Sequence, residues 1–165
     1  MFARAVIAFL AMPAVVGIGV PLWIASRDPS RGPDHPAGLL LAGIGFAGLL
    51  WCVRDFYAIG KGTLAPWAPP RRLVVVGLYR FARNPMYLSV LTLVAGIAAW
   101  RGSPTTLAYA LVLALVFHLR VVLGEEPVLA RSFPAEWAVY AGAVPRWLPR
   151  LSPWRGPEPG SRPPA

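Results

Sequence analysis

The chain has 165 residues, 56% hydrophobic and only 14% charged, against roughly a quarter charged in an ordinary soluble domain. Runs without Asp, Glu, Lys or Arg at residues 5–26, 37–53, 84–100 and 102–119 fill close to half of it, which excludes a soluble enzyme. Cys52 is the only cysteine, which excludes a disulfide-stapled secreted domain. The net charge of +9 follows the positive-inside pattern of a membrane protein rather than the face of a nucleic-acid binder.

The first run is expected to span the bilayer over residues 5–25. It is longer than the apolar core of a signal peptide and contains Pro13 and Pro21, so a retained span is the reading. It ends at a Ser-Arg-Asp-Pro turn signal, and a short loop rich in Pro, Gly and Asp leads to a second span at 37–57. Ala42, Gly43, Gly45, Ala47 and Gly48 give that span small residues, through which helices pack closely in lipid. Residues 61–83 are too polar and too rich in proline to cross, and Val74–Val76 is read as an interfacial patch.

Spans three (85–100) and four (104–123) are joined by Arg101-Gly-Ser-Pro104, a connection short enough to force an antiparallel hairpin. Residues 79–87 and 118–126 should therefore meet at one membrane face. Beyond Glu126, Leu129, Phe133, Trp137 and Tyr140 recur at helical spacing, with Pro134 breaking the segment into two short helices. The tail at 153–165 is rich in Pro, Gly and Arg and is expected to be disordered. The expected architecture is all-α: one domain over residues 1–152, with about four spans plus interfacial and C-terminal cytoplasmic helices. With both termini inside, Arg4, Arg54, Lys61, Arg71, Arg72, Arg80, Arg83 and the cations from Arg120 onward are cytoplasmic. Arg27, Arg31 and Arg101 lie outside.

The residues that can carry chemistry gather at the inner mouth of the hairpin. Arg80, Arg83 and Asn84 precede Pro85 and Tyr87; Arg120, Glu125 and Glu126 follow span four. Ionisable groups at membrane segments are costly and tend to have partners or functions. One reading is structural: Arg83 or Arg120 paired with Glu125 or Glu126, with Pro85 merely starting a helix. On a regular helix His118 and Glu125 share a face, and Glu126 points about 100° away. There is no phosphate-binding glycine loop, no metal-ligand spacing and no Ser-His-Asp set, and His35 reads as a solvated loop residue.

The segment Gly77-Leu-Tyr-Arg-Phe-Ala-Arg-Asn-Pro-Met-Tyr-Leu88 resembles the Gly-x-Tyr-Arg-x-x-Arg-His/Asn-Pro-x-Tyr signature of integral membrane methyltransferases. These are the isoprenylcysteine carboxyl methyltransferase and phospholipid (phosphatidylethanolamine-type) methyltransferase families. Glu125-Glu126-Pro-Val-Leu129, then Phe133, Trp137, Tyr140 and Val144-Pro-Arg-Trp-Leu-Pro149, is similar to their C-terminal pattern. Asn84 stands where histidine is commoner, Pro134 replaces a glycine and Trp137 a tyrosine.

The resemblance implies methyl transfer from S-adenosylmethionine to a lipid or lipid-like acceptor. The setting would be a multi-pass protein of a bacterial cell membrane, with its site facing the cytoplasm and no metal or nucleic acid involved. Carried over by position, Tyr79, Arg80, Arg83, Asn84, Pro85, Tyr87, Glu125 and Glu126 would bind the cofactor. Arg120, Glu125 and Glu126 would take part in catalysis, and His118, Tyr140 and Arg146 would form a cap or substrate region. The carboxylate of the cofactor suits an arginine fork and its ammonium a glutamate. The rival reading is a non-catalytic scaffold or accessory protein that binds anionic lipid through the same arginines.

Overall fold

The computed structural model describes residues 13–60 and 72–156. The start of the first expected span, residues 61–71 and the end of the tail lie outside the described residues. All regular structure among the described residues is helical. A π-turn at Val15–Gly19 runs into α1 (Val20–Arg27), followed by α2 (Ala37–Gly60) and a 3₁₀ turn at Gly77–Arg80. Then come α3 (Pro85–Trp100), α4 (Pro104–Arg120), a second π-turn at Val121–Glu125, α5 (Glu126–Ser132) and α6 (Pro134–Ala143).

Among the described residues two helical stretches are long and apolar enough to cross a membrane, Ala37–Phe56 and Pro104–Ser132, against the four spans expected. The shortfall has a local cause in each case. Only Val15–Arg27 of the first expected span is a described apolar helix, and α3 is held to Pro85–Trp100. Proline opens α3 where its missing N–H is not needed, and the Arg101–Gly102 turn ends it. At 1.5 Å per residue, α3 is about 24 Å long. The last stretch exceeds its expected end because the helix continues through the π-turn to Ser132.

α3 is the centre of the bundle. Leu49 of α2, Val90 and Val94 of α3, and Ala110 and Leu113 of α4 form one buried cluster. Ala42, Leu93 and Ile97 form a second, against Ile18. α2 and α3 touch backbone to backbone: a Cβ on Gly38, Gly45 or Gly96 would lie 2.2–2.3 Å from a backbone nitrogen of the other helix. Gly43, among the small residues of the same span, faces open space instead. The outward faces of α2 and α4 stay apolar, with Leu40 74%, Ile44 66%, Leu111 68% and Leu115 58% exposed. Large apolar surface of this kind on neighbouring helices is what hydrocarbon would cover.

The hairpin's far end is stitched to the loop after α1. Asp28 accepts from the Ser103 hydroxyl at 2.6 Å, the Thr105 amide at 3.1 Å, and the Ser30 amide and hydroxyl at 2.9 and 2.6 Å. Ser103 in turn caps α4 by accepting from the Thr106 amide. These bonds hold the Asp28 carboxyl well below the usual carboxylate range, the Ser103 and Ser30 hydroxyls contributing most. The Gly32 and His35 amides add backbone bonds to Gly102 and Trp100.

Candidate functional site

At the opposite end of the hairpin, the two polar segments meet as the short connection requires. The Tyr87 hydroxyl, on the first turn of α3, donates to Glu125 Oε1, and Tyr87 stacks on Phe117 with ring centroids 4.4 Å apart. Arg120 Nε donates to the same Glu125 oxygen at 2.8 Å. Five residues separate Arg120 from Glu125, which on an α-helix would put them about 140° apart. The π-turn between them widens the helix, and the Glu126 amide reaches back to Val121 O. That irregularity, a form found mostly as single turns at functional sites, lets the pair close.

Glu126 faces a different set of partners. Arg146 grips it with two prongs, Nε to Oε1 at 2.7 Å and Nη2 to Oε2 at 2.8 Å, and Arg83 Nη1 lies 3.2 Å from Oε1. The Arg146 guanidinium is held above its ordinary pKa by its bond to Glu126. For Arg83 burial wins over the attraction of Glu126, and its pKa is lowered. Arg83 also stacks over the Trp137 ring at 5.5 Å, and its Nε is buried with no hydrogen-bond partner.

Residues 144–154 form a strap laced across this end by both backbone and side-chain bonds. The Arg83, Arg150 and Trp154 amides donate to Pro145 O, Phe81 O and Arg80 O, each at 2.9 Å. Asn84 Nδ2 donates to Arg146 O at 3.2 Å and Arg80 Nε to Trp154 O at 2.6 Å. Trp147 Nε1 donates to His118 Nδ1 at 3.1 Å. Tyr140 OH donates to Tyr79 O at 2.7 Å and its ring packs on Trp154. Burial pushes the Tyr79 and Tyr140 phenols above their ordinary pKa, so both stay protonated.

A sequence profile described as phospholipid methyltransferase matches residues 35–136, more than half of the chain. The chain belongs to the phospholipid methyltransferase family. It is 36% identical over 122 residues to the cobalt-zinc-cadmium resistance protein CzcN of Cupriavidus metallidurans, covering 72% of this chain and 50% of that protein. It is 33% identical over 121 residues to the nickel-cobalt-cadmium resistance protein NccN of Alcaligenes xylosoxydans xylosoxydans, covering 72% and 51%. The chain thus spans about half the length of these relatives. No solved structure matches it.

For this phospholipid methyltransferase family member, the matched residues take in Arg83 through Glu126 but stop before Arg146. The site residues singled out from the sequence lie at this end of the molecule, and seven of them fall into two groups. Tyr87, Arg120 and Glu125 form one, with half-open side chains: Arg120 is 43% and Glu125 36% exposed. Arg83, Asn84, Glu126 and Arg146 form the other, joined to the strap. Arg80 and Tyr79 hold the strap and α6, Pro85 starts α3, and His118 receives Trp147 rather than pairing with Glu125. Of the pairings left open between Arg83 or Arg120 and Glu125 or Glu126, the structure forms Arg83 with Glu126 and Arg120 with Glu125. Trp154, inside the expected disordered tail, packs on Tyr140 instead. A tryptophan in a Pro- and Arg-rich segment was the available signal, because a large ring gains from burial.

Proposed function

We propose that this protein is an S-adenosylmethionine-dependent methyltransferase acting on a lipid or lipid-like acceptor, with its site on the cytoplasmic side of a four-span membrane protein. The observation that carries the reading is the convergence of Tyr87, Arg120 and Glu125 with Arg83 and Glu126 at one mouth of the α3–α4 hairpin. α3 is proposed to cross although it is short. Its neighbours shield it, and a bilayer accommodates a short helix by local thinning. The cation distribution supports an inner mouth facing the cytosol, from which a water-soluble cofactor would arrive.

The residues present fit such a cofactor. Its amino-acid end carries a carboxylate and an ammonium. Arg120 and Glu125 offer the opposite charges on side chains that water still reaches, and the buried Arg83 Nε is a donor in want of an acceptor. Glu126 is already engaged by two bonds from Arg146 and the ion pair with Arg83, so its role is to clamp the strap. The bound cofactor supplies an electrophilic methyl group. The chain's part is to orient it, since displacement at carbon depends chiefly on alignment, and to hold water out beneath the strap.

The names of the relatives add resistance to metals as a physiological setting. Resistance of that kind would follow from a methylated lipid that changes the membrane the metal ions cross. Transfer of labelled methyl from the cofactor into lipid extracts of membranes carrying the protein tests the proposal, together with calorimetric cofactor binding in detergent. Absence of both at millimolar cofactor would overturn it.

A further inference from the structure

One ionisable group near this end takes no part in the site so far described. Asp55, in the last turns of α2, is 9% exposed, and its Oδ2 has no hydrogen-bond partner. A buried carboxylate oxygen left unpaired costs several times what a made hydrogen bond gains, so its retention calls for a ligand or proton donor. The oxygen is held in place by shape. It lies so close over Gly77 that a Cβ there would be 2.0 Å away, with Trp51 Nε1 2.8 Å from the same point. Gly77 has φ +52°, a conformation that suits glycine, so the space over its Cα is kept for the carboxylate.

Two further observations relate Asp55 to the proposed chemistry and to the bilayer. Gly77 opens the turn that carries Tyr79. The backbone oxygen of Tyr79 accepts from Tyr140 OH at 2.7 Å, and the next two carbonyls, of Arg80 and Phe81, accept from the strap amides of Trp154 and Arg150. The turn over which Asp55 lies is therefore bonded directly to α6 and to the strap at the mouth of the hairpin. On the other flank Trp51, one helical turn before Asp55, is 50% exposed beside the equally exposed Leu50. The buried carboxylate thus lies between the turn bonded to the strap and the lipid-facing side of α2, the side from which a membrane-borne head group would come.

We propose that Asp55 is the acceptor-side carboxylate of the site: it binds a membrane-borne nucleophile that carries an exchangeable hydrogen and takes that hydrogen as the methyl group is transferred. The ligand class is an amphiphile with an N–H, S–H or O–H nucleophile, as opposed to a carboxylate, which has no proton to give up at neutral pH. The bookkeeping of atoms closes. The nucleophile's lone pair forms the bond to the methyl carbon, the carbon–sulfur bond breaks with its pair staying on the sulfonium sulfur, and the nucleophile's proton passes to Asp55 Oδ2. This inference rests on the methyltransferase reading for the transfer step; binding of the nucleophile at Asp55 does not.

The test uses the full chain in phosphatidylcholine nanodiscs with dodecylamine, dodecanethiol, dodecanol and dodecanoate as probes. Infrared difference spectra without cofactor are expected to show a carboxyl band perturbed by at least one hydrogen-bearing probe and absent in Asp55→Asn. With labelled cofactor, that same probe is expected to be methylated and dodecanoate not. Asp55→Asn should lower the transfer about 100-fold or more, the scale of a lost general base, with cofactor affinity within about twofold of wild type. Asp55→Glu, which keeps the carboxylate, should recover part of the transfer and replaces Asn if the amide fails to insert. A band that persists in Asp55→Asn, undiminished transfer in that variant, or dodecanoate as the preferred acceptor overturns the proposal. A perturbed Asp55 band with no transfer to any probe upholds the binding site and counts against the methyltransferase reading; no perturbed band rejects the site.

Discussion

Replacing Glu126 with glutamine should loosen the strap without touching the hairpin. The carboxylate accepts two bonds from Arg146 and lies 3.2 Å from Arg83. Its side chain is 15% exposed, against 13% for Arg83 and 32% for Arg146. Glutamine keeps one acceptor but turns an NH₂ toward guanidinium donors and leaves two arginines without their counter-charge. A charge-assisted bond contributes about 1.5–3 kcal/mol. The partial exposure of Arg146 favours the lower half, so about 2 kcal/mol is the expected cost. If the strap opens and recloses faster than a protease cuts, cleavage follows the open population, and 2 kcal/mol corresponds to a rise of about 30-fold.

Trypsin reads this directly, because Arg150 and Arg155 lie on or just past the strap. Cleavage there should quicken about 30-fold in Glu126→Gln and less in Arg146→Lys, which keeps charge but loses the two-pronged grip. It should be unchanged in Glu125→Gln, whose partners are Tyr87 and Arg120. Cleavage of Glu126→Gln within about twofold of wild type would refute the clamp and return Glu126 to the candidates for ligand contact.

Glu125→Gln is expected to weaken cofactor binding about tenfold or more, one charge-assisted bond's worth, measured by calorimetry in detergent with trypsin sensitivity as the control. Asp28→Asn should flatten the acid limb of stability. Because the folded-state pKa of Asp28 is lowered, its contribution is complete above the ordinary carboxylate pKa near 4 and drains away as pH falls toward the folded value. Thermal unfolding scans of wild type and Asp28→Asn from about pH 5 to pH 2 should therefore converge at the acid end. Gly77→Ala should destabilise by more than about 1 kcal/mol, from the positive φ and the collision with Asp55. A melting temperature equal to wild type would mean that the turn can shift.

Much of the framework was legible because it rests on features that repeat in any lipid-embedded helix pair. Small residues in span two announced close packing, and Gly38, Gly45 and Gly96 do bring α2 and α3 into backbone contact. The four-residue connection at Arg101–Pro104 dictated the hairpin, and with it the meeting of Tyr87 and Glu125. Pro134 marked the break between α5 and α6. The bounds of α3 fall where the sequence put them, at Pro85–Trp100; what the uncharged run did not convey is that 16 residues are fewer than the roughly 17–25 a crossing helix takes.

The division of labour between Glu125 and Glu126 was not legible, and the reason is geometric. Helical phase counted at 100° per residue places His118 and Glu125 on one face, but nothing in Val-Val-Leu-Gly-Glu signals that a π-turn interrupts the count. Such a turn inserts one residue's worth of rotation. It brings Glu125 to Arg120 and Tyr87, and the next residue to the strap. The strap itself was equally hidden, since three of its bonds join the backbone amides of Arg83, Arg150 and Trp154 to the carbonyls of Pro145, Phe81 and Arg80, groups that nearly every residue type carries. Two adjacent acids can serve an open pair and a closed clamp only where the helix between their partners is out of register. The irregularity at Val121–Glu125 is therefore part of the site, and straightening it would cost one of the two pairs.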